Sequence, residues 1–302
     1  MSAYDFVTVN VFTDRRFAGN PLAVIPDATG LTDAQMQAIA AEFNLSETTF
    51  VLPPKDPRHH ANVRIFTRTA EMPFAGHPNV GTGYVLASMA GDPPEHYTFE
   101  EIAGLVRVHI LRDAAGAISG ARVAAPRSLS VDIRLPPETI AACAGLAVTD
   151  IATLSHPPLV ASVGTPFVIA EVASVEALAR ARPDIAAFDA AAARFPELAS
   201  RFGLHLYAWI AGDERRLRAR MFAPQGGTWE DPATGSANAA LAALLTSIAP
   251  GDNLDLQYAI EQGVEMGRPS LIIASAVKTG EGPVLASVAG SCVPVMRGTL
   301  QV

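Results

Sequence analysis

Cysteine is scarce in this chain: Cys143 and Cys292 are the only two in 302 residues. One falls in each half, which excludes a disulfide framework, and neither has a companion at metal-ligand spacing. Both are expected to be core thiols, with no metal bound. Charge is also sparse, at 17% of residues, and no run of Lys and Arg occurs. A formal charge of −8 and a pI near 5.4 then argue against a nucleic-acid or anionic-membrane footprint. Nowhere do about 18 apolar residues run uninterrupted. The start, Met1 Ser2 Ala3 Tyr4 Asp5, lacks the basic and apolar regions of a leader. A cytoplasmic protein working on a small molecule is the expectation.

What is abundant is apolar content, 49% of residues, enough at this length for two cores. One short segment occurs twice. Gly76 His77 Pro78 Asn79 Val80 Gly81 in the first half matches Gly235 Ser236 Ala237 Asn238 Ala239 Ala240 in the second. Each lies behind a similar strand, Arg64 Ile65 Phe66 and Arg220 Met221 Phe222. The glycines and the asparagines keep one offset and the arginines an offset three shorter, so the second copy has the longer loop. Each half therefore reads strand, polar loop, glycine, then a helix of small residues. Two such helix starts, with unpaired N–H groups and positive dipole ends, suit an anionic ligand.

Between these landmarks strands and helices interleave. Phe6 to Phe12 and Leu22 to Ile25 flank Gly19, Asn20 and Pro21 as a hairpin. Thr32 with Gln35 reads as a capping box for a helix bearing Met36, Ile39, Ala40 and Phe43 on one face and ending at Asn44. Strands follow at 48–52, 62–67, 96–101, 105–112 and 117–123, with a helix over 78–89. The second half offers strands near 166–171, 204–210, 217–222, 270–276 and 284–288, and helices at 174–182 and 236–248. The Ala-rich stretch 186–193 reads as an ordinary helix. The expected fold is α+β: two pseudo-symmetric domains, each a curved, mostly antiparallel sheet or barrel wrapped on a central helix. The domains are set at 1–127 and 128–290, with 291–302 returning to the first.

Three segments crowd polar groups around the glycine loops. In Asn44 Leu45 Ser46 Glu47 Thr48 Thr49, a half-buried Glu47 is suited to take and return a proton, or merely faces water. In Glu71 Met72 Pro73 Phe74 Ala75 Gly76 His77, the helix dipole favours a neutral His77 as donor or relay; a structural histidine tied to a carbonyl is the other reading. In Trp229 Glu230 Asp231 Pro232 Ala233 Thr234 Gly235 Ser236, Asp231 and Ser236 taken singly read first as helix caps.

The strings VNVFTDRRFAGNPLAVI, NLSETTFV, PFAGHPNVGTG, EDPATGSAN and EQGVEMGRPS resemble, in order and over nearly the whole chain, the PhzF-like family, named for a phenazine-biosynthesis isomerase. The resemblance implies a diaminopimelate-epimerase-like fold, a site in the cleft between two domains, usually a homodimer, and cofactor-free isomerisation of a small carboxylate. It carries the acid/base glutamate onto Glu47, the histidine onto His77, the aspartate onto Asp231 and the serine onto Ser236. Gly76, Asn79, Thr234 and Gly235 are the expected substrate-binding residues. Epimerases of that fold place a cysteine just before each glycine, where this chain has Ala75 and Thr234. Neither replaces a thiolate base, so two-base racemisation is disfavoured.

Other classes fit less well. Ser236, His77 and Asp231 have the residue types of a hydrolytic triad, but the G-x-S-x-G elbow is missing. Gly81 Thr82 Gly83 lacks the third glycine of a dinucleotide fingerprint, and no Walker lysine follows. His59 and His60 read as a solvated loop rather than a metal site. A non-catalytic small-molecule binder of the same fold remains the alternative outside enzymes.

Overall fold

Valines at 7, 9 and 11 do lie on one strand, β1 (Ala3–Val11), which pairs antiparallel with β2 (Asn20–Ile25), Val7 opposite Val24. Its second half is buried on both faces, because Thr8 and Asn10 find partners inside: Thr8 Oγ1 accepts the Met296 N–H and Asn10 Oδ1 the Phe17 N–H. The computed structural model describes residues 2–198 and 202–302 and divides into two units, Met1–Pro126 with Val288–Val302, and Arg127–Ser287.

The first unit continues through α1 (Asp33–Phe43), β3 (Glu47–Leu52), β4 (Ala61–Phe66), β5 (Glu71–Met72), α2 (Gly76–Met89), β6 (His96–Glu101), β7 (Gly104–Arg112) and β8 (Ile118–Ala124). Thr32 and Gln35 form the capping box of α1, and Asn44 ends it in the left-handed conformation at φ 52°. Pairing runs β1–β2 antiparallel, β2–β3 parallel, β3–β4 antiparallel, β4–β6 parallel, then β6–β7 and β7–β8 antiparallel.

In the second unit come β9 (Ser130–Arg134), α3 (Pro137–Ala144), β10 (Ile151–Ala152), β11 (Leu159–Ser162), β12 (Pro166–Val172), α4 (Val175–Arg180), α5 (Ile185–Arg194), β13 (Leu204–Trp209), β14 (Arg216–Ala223), β15 (Thr228–Asp231), α6 (Gly235–Ile248), β16 (Asn253–Gln262) and β17 (Ser270–Thr279). The last strand, β18 (Leu285–Gln301), returns to the first unit from Val288 onward, where it pairs with β1 and β8 and closes that sheet on itself. Pro294 is tolerated there because it sits where the β1 register shifts, between Thr8 and Val9.

Both central helices begin earlier than their sequence pattern indicates, at Gly76 and Gly235 rather than Pro78 and Ser236. Pro78 sits third in α2, where its missing N–H has no helical partner to lose. Nearly every residue of α2 is buried, small ones included. A Cβ at Gly81 would stand 2.5 Å from Leu22 Cδ2 and 2.9 Å from Val11 Cγ2, so the absent side chain sets the approach of α2 to β1 and β2. Gly81→Val is expected to cost about 1–3 kcal/mol by overpacking, read as a lower urea midpoint in circular dichroism; an unchanged midpoint contradicts that packing.

The second unit repeats the order of pairings: β12–β13 parallel, β13–β14 antiparallel, β14–β16 parallel, β16–β17 antiparallel. It adds α3, α4 and α5, which pack with strands β11 to β14 in one apolar cluster where Ile140, Leu178 and Phe188 are fully buried. Phe188 confirms the helix read over 186–193. Cys143 belongs to that cluster.

Candidate active site

Register extends the repeat from sequence to structure. Thr48 pairs with Phe66 as Leu204 pairs with Phe222, and Ile65 with Met72 as Met221 with Asp231. Arg64 forks onto Glu71 (Nε–Oε1 and Nη2–Oε2, both 2.7 Å), and Arg220 forks onto Glu230 in the same way (2.8 and 2.9 Å). These pairs pin the short strands β5 and β15, each of which delivers the chain to a helix start. The scaffold is thus common to both units, and the candidate site side chains are not. Glu47 has Gly203 as its counterpart, His77 has Ser236, and Asp231 has Met72.

In the first unit Glu47 opens β3, and a buried 2.8 Å bond between the Thr49 and Thr82 hydroxyls ties that strand to α2. His77, second in α2 and buried, brings Nε2 to 3.3 Å from Glu47 Oε2. Burial pushes the His77 imidazole down to about 3, so the ring is neutral at physiological pH. On its other side Asn20 Nδ2 lies 3.4 Å from His77 Nδ1. An amide N–H facing Nδ1 leaves the ring proton on Nε2, the nitrogen on the Glu47 side. The two groups are 3.3 Å apart but not aligned as a hydrogen bond, and with the ring neutral they are not an ion pair between charges. Asn20 owes its place to Gly19 at φ +66°, whose Cβ would stand 2.4 Å from the Val11 carbonyl.

Asn79, on the next part of the same turn, is fully buried and donates from Nδ2 to the Ala75 carbonyl at 3.0 Å. Ala75 is the N-cap and offers no side-chain capping bond.

In the second unit the cap reading of Asp231 and Ser236 is corrected. Thr234 is the N-cap of α6, its side chain makes no capping bond, and its hydroxyl instead donates to Asp231 Oδ2 at 2.5 Å. Ser236 is the second helical residue and is half-buried. Beneath the loop lies a residue given no role by sequence reasoning, Gln262, fully buried at the end of β16. Its Nε2 donates to the Asp231 carbonyl (2.8 Å) and Thr234 Oγ1 (3.1 Å); its Oε1 accepts from the Thr234 N–H (3.2 Å) and Asn238 Nδ2 (2.7 Å). Asn238 also donates to the Thr234 carbonyl (3.0 Å), and His205 Nε2 meets its Oδ1 at 3.2 Å. Burial draws His205 down to about 4. Ser270 donates to the Pro232 carbonyl at 2.9 Å. The EQGVEMGRPS string thus underpins the EDPATGSAN loop.

The thiols stay apart from both helix starts. Each is buried, Cys143 in the α3 cluster and Cys292 on β18, and burial pushes Cys143 up to about 12 and Cys292 higher still. Neither is a thiolate at neutral pH. Among the described residues no helix is long and apolar enough to cross a membrane.

Two units of mixed α/β structure repeat one scaffold, and in the first a glutamate and a histidine stand 3.3 Å apart at a helix start; comparison with known proteins gives the class. A hydroxyproline epimerase from Agrobacterium vitis shares the fold, with a TM-score of 0.63 at 13% identity over 99% of this chain and 92% of that one. A PhzF-family phenazine biosynthesis protein from Bacillus anthracis superposes with a TM-score of 0.88 at 26% identity, each chain covered completely. Among sequence relatives, an uncharacterised isomerase of Mesorhizobium japonicum is 41% identical over 99% of both chains, and the trans-2,3-dihydro-3-hydroxyanthranilate isomerase of Pseudomonas fluorescens 35% identical over 98% and 99%. The model of the phenazine biosynthesis-like proteins, PhzC-PhzF, matches residues 9–298. The chain belongs to that family and is an isomerase.

Proposed function

We propose that this isomerase works without a cofactor, moving a proton between carbons of a small carboxylate-bearing substrate, an amino or hydroxy acid or a cyclic diene acid, with Glu47 as base and then acid. The observation that carries the reading is the neutral, buried His77 set 3.3 Å from Glu47 at the start of α2. A neutral imidazole this close to the carboxylate can turn its N–H onto it without surrendering the proton, which suits a group that must begin the step ionised. Glu47 takes a proton from a C–H bond, the electron pair enters the conjugated system, and the protonated Glu47 returns the proton at another carbon. Nothing is oxidised or reduced.

The substrate carboxylate is assigned to N–H groups at Gly76 or Gly235, since neither helix start is capped by its own side chain. Asp231, held by Thr234, and Ser236 are assigned to the substrate's amine or hydroxyl, with Asn79 and Thr234 supporting the two helix starts. Assembly as a homodimer belongs to the same reading. The test is turnover of trans-2,3-dihydro-3-hydroxyanthranilate and of a panel of cyclic and acyclic amino and hydroxy acids in D2O, with no metal added. Deuterium at a substrate carbon supports the reading; binding of a panel member with no exchange and no product favours a non-catalytic binder.

A further inference from the structure

One buried carboxylate in the first unit has no part in the chemistry above. Glu101 ends β6 on the row of Tyr97 and Phe99, both buried. Its position in the repeat is defined by register. Asn62 pairs with Glu100 in the parallel β4–β6 ladder as Arg218 pairs with Glu261 in β14–β16, so Glu101 is the counterpart of Gln262. Asn79 is likewise the counterpart of Asn238, each donating its amide to the carbonyl just before its helix. In the second unit Gln262 completes the arrangement with two accepting and two donating bonds.

The first unit lacks that amide. Both Glu101 carboxylate oxygens and Asn79 Oδ1 are shut from solvent, and among the described residues no well-aligned donor reaches them; the neighbouring Asn79 amide is committed to the Ala75 carbonyl. Three buried acceptors without a donor are costly. A carboxyl group carrying its proton offers one acceptor and one donor, which is the hydrogen-bonding character of the missing amide.

We propose that Glu101 is a positioning residue for the α2 start, held as a neutral acid in the place Gln262 occupies beside α6, and acting through Asn79 and the Ala75 carbonyl on the adjoining His77. Its effect on turnover rests on the function proposed above; its protonation does not.

Burial pushes the Glu101 carboxyl up to about 8, opposed by the neighbouring Asn79 side chain. The hollow at this end of β6, which Glu101 also lines, holds Arg64 paired with Glu71 and Asp33, His59 paired with Glu100, and the cationic Lys55, whose backbone N–H is on Glu100. From β7 the residue opposite is Gly104, and α2 presents the neutral His77. A carboxyl raised from 4.5 to about 8 binds its proton more tightly folded than unfolded. Stability therefore falls as pH rises through that interval and levels off above it.

The experiment compares the parent with Glu101→Gln and Glu101→Ala by NMR of side-chain carboxyl and imidazole carbons across this pH range. A glutamate carboxyl titrating near pH 8 is expected in the parent, with a step in the His77 ring shifts at the same midpoint, both lost in Glu101→Gln. Where turnover is measurable, Glu101→Gln keeps about the parent rate at neutral pH and loses its alkaline decline, while Glu101→Ala drops about 10–100-fold. Absence of any glutamate titrating above pH 7, or a His77 ring disturbed as much by Gln as by Ala, overturns the proposal. A titration as expected alongside a parent inactive on every substrate overturns the proposed function instead.

Discussion

Glu47→Gln is expected to lower turnover and substrate–solvent proton exchange by about 10²–10⁴-fold, the usual share of a positioned general acid/base. The substitution keeps the volume of the side chain at the start of β3 and leaves an oxygen for the His77 N–H, so the fold and the Thr49–Thr82 tie are undisturbed. What disappears is the capacity to accept a proton from carbon. Ligand affinity should change little, and the loss should fall on kcat rather than KM, as for a group that acts only in the transition state. Calorimetry with a ligand and deuterium wash-in on the same preparation separate the two. Equal exchange in mutant and parent would remove Glu47 from the base role.

The second large effect concerns stability. Arg220 is 3% exposed, and its guanidinium is used on every side: two bonds to Glu230, and Nη1 to the Leu178 and Ala181 carbonyls at 3.1 and 2.8 Å. It also lies 4.9 Å over the Phe222 ring. Glu230→Ala leaves that charge buried with half its donors unmatched, for which the expected cost is about 3–5 kcal/mol. The counterpart Glu71→Ala should cost about 1 kcal/mol or less, because Arg64 and Glu71 side chains are 21% and 23% exposed and Asp33 remains as a partner. Urea unfolding followed by circular dichroism compares the two mutants, and Trp209 and Trp229, both in residues 127–287, add a fluorescence signal from the unit that Glu230 supports. Equal losses in the two mutants would show that burial does not set the difference.

Much of this architecture is legible in the residues alone. The paired Arg-x-Phe strands and glycine loops mark the repeat because bidentate pairs and tight helix starts demand particular residues. Strands alternating plainly, such as 96–101, are readable for the same reason. By contrast α3 is only two turns long and begins behind Pro136, so 137–144 passes for a connector. β16 escapes the reading although Leu254, Leu256, Tyr258 and Ile260 alternate with the exposed Asn253, Asp255 and Gln257; its partners β17 and β14 are set only by the fold.

At the site, Glu47 and His77 stand out through their local strings. Asn20 and Gln262 do not, since their value comes from partners 57 and 31 or fewer residues away that only the fold brings near. The signal for Gln262 was present in EQGVEMGRPS as a string without a task. Glu101 shows itself only through the comparison of the two ladders.

The sealed sulfurs have a practical side. With Cys143 and Cys292 both inside the packing and protonated, alkylating reagents and mild peroxide meet no exposed thiolate in the native state. The proposed reliance on Glu47 would share that tolerance of air, a freedom that catalysts built on a reduced thiol pair do not have.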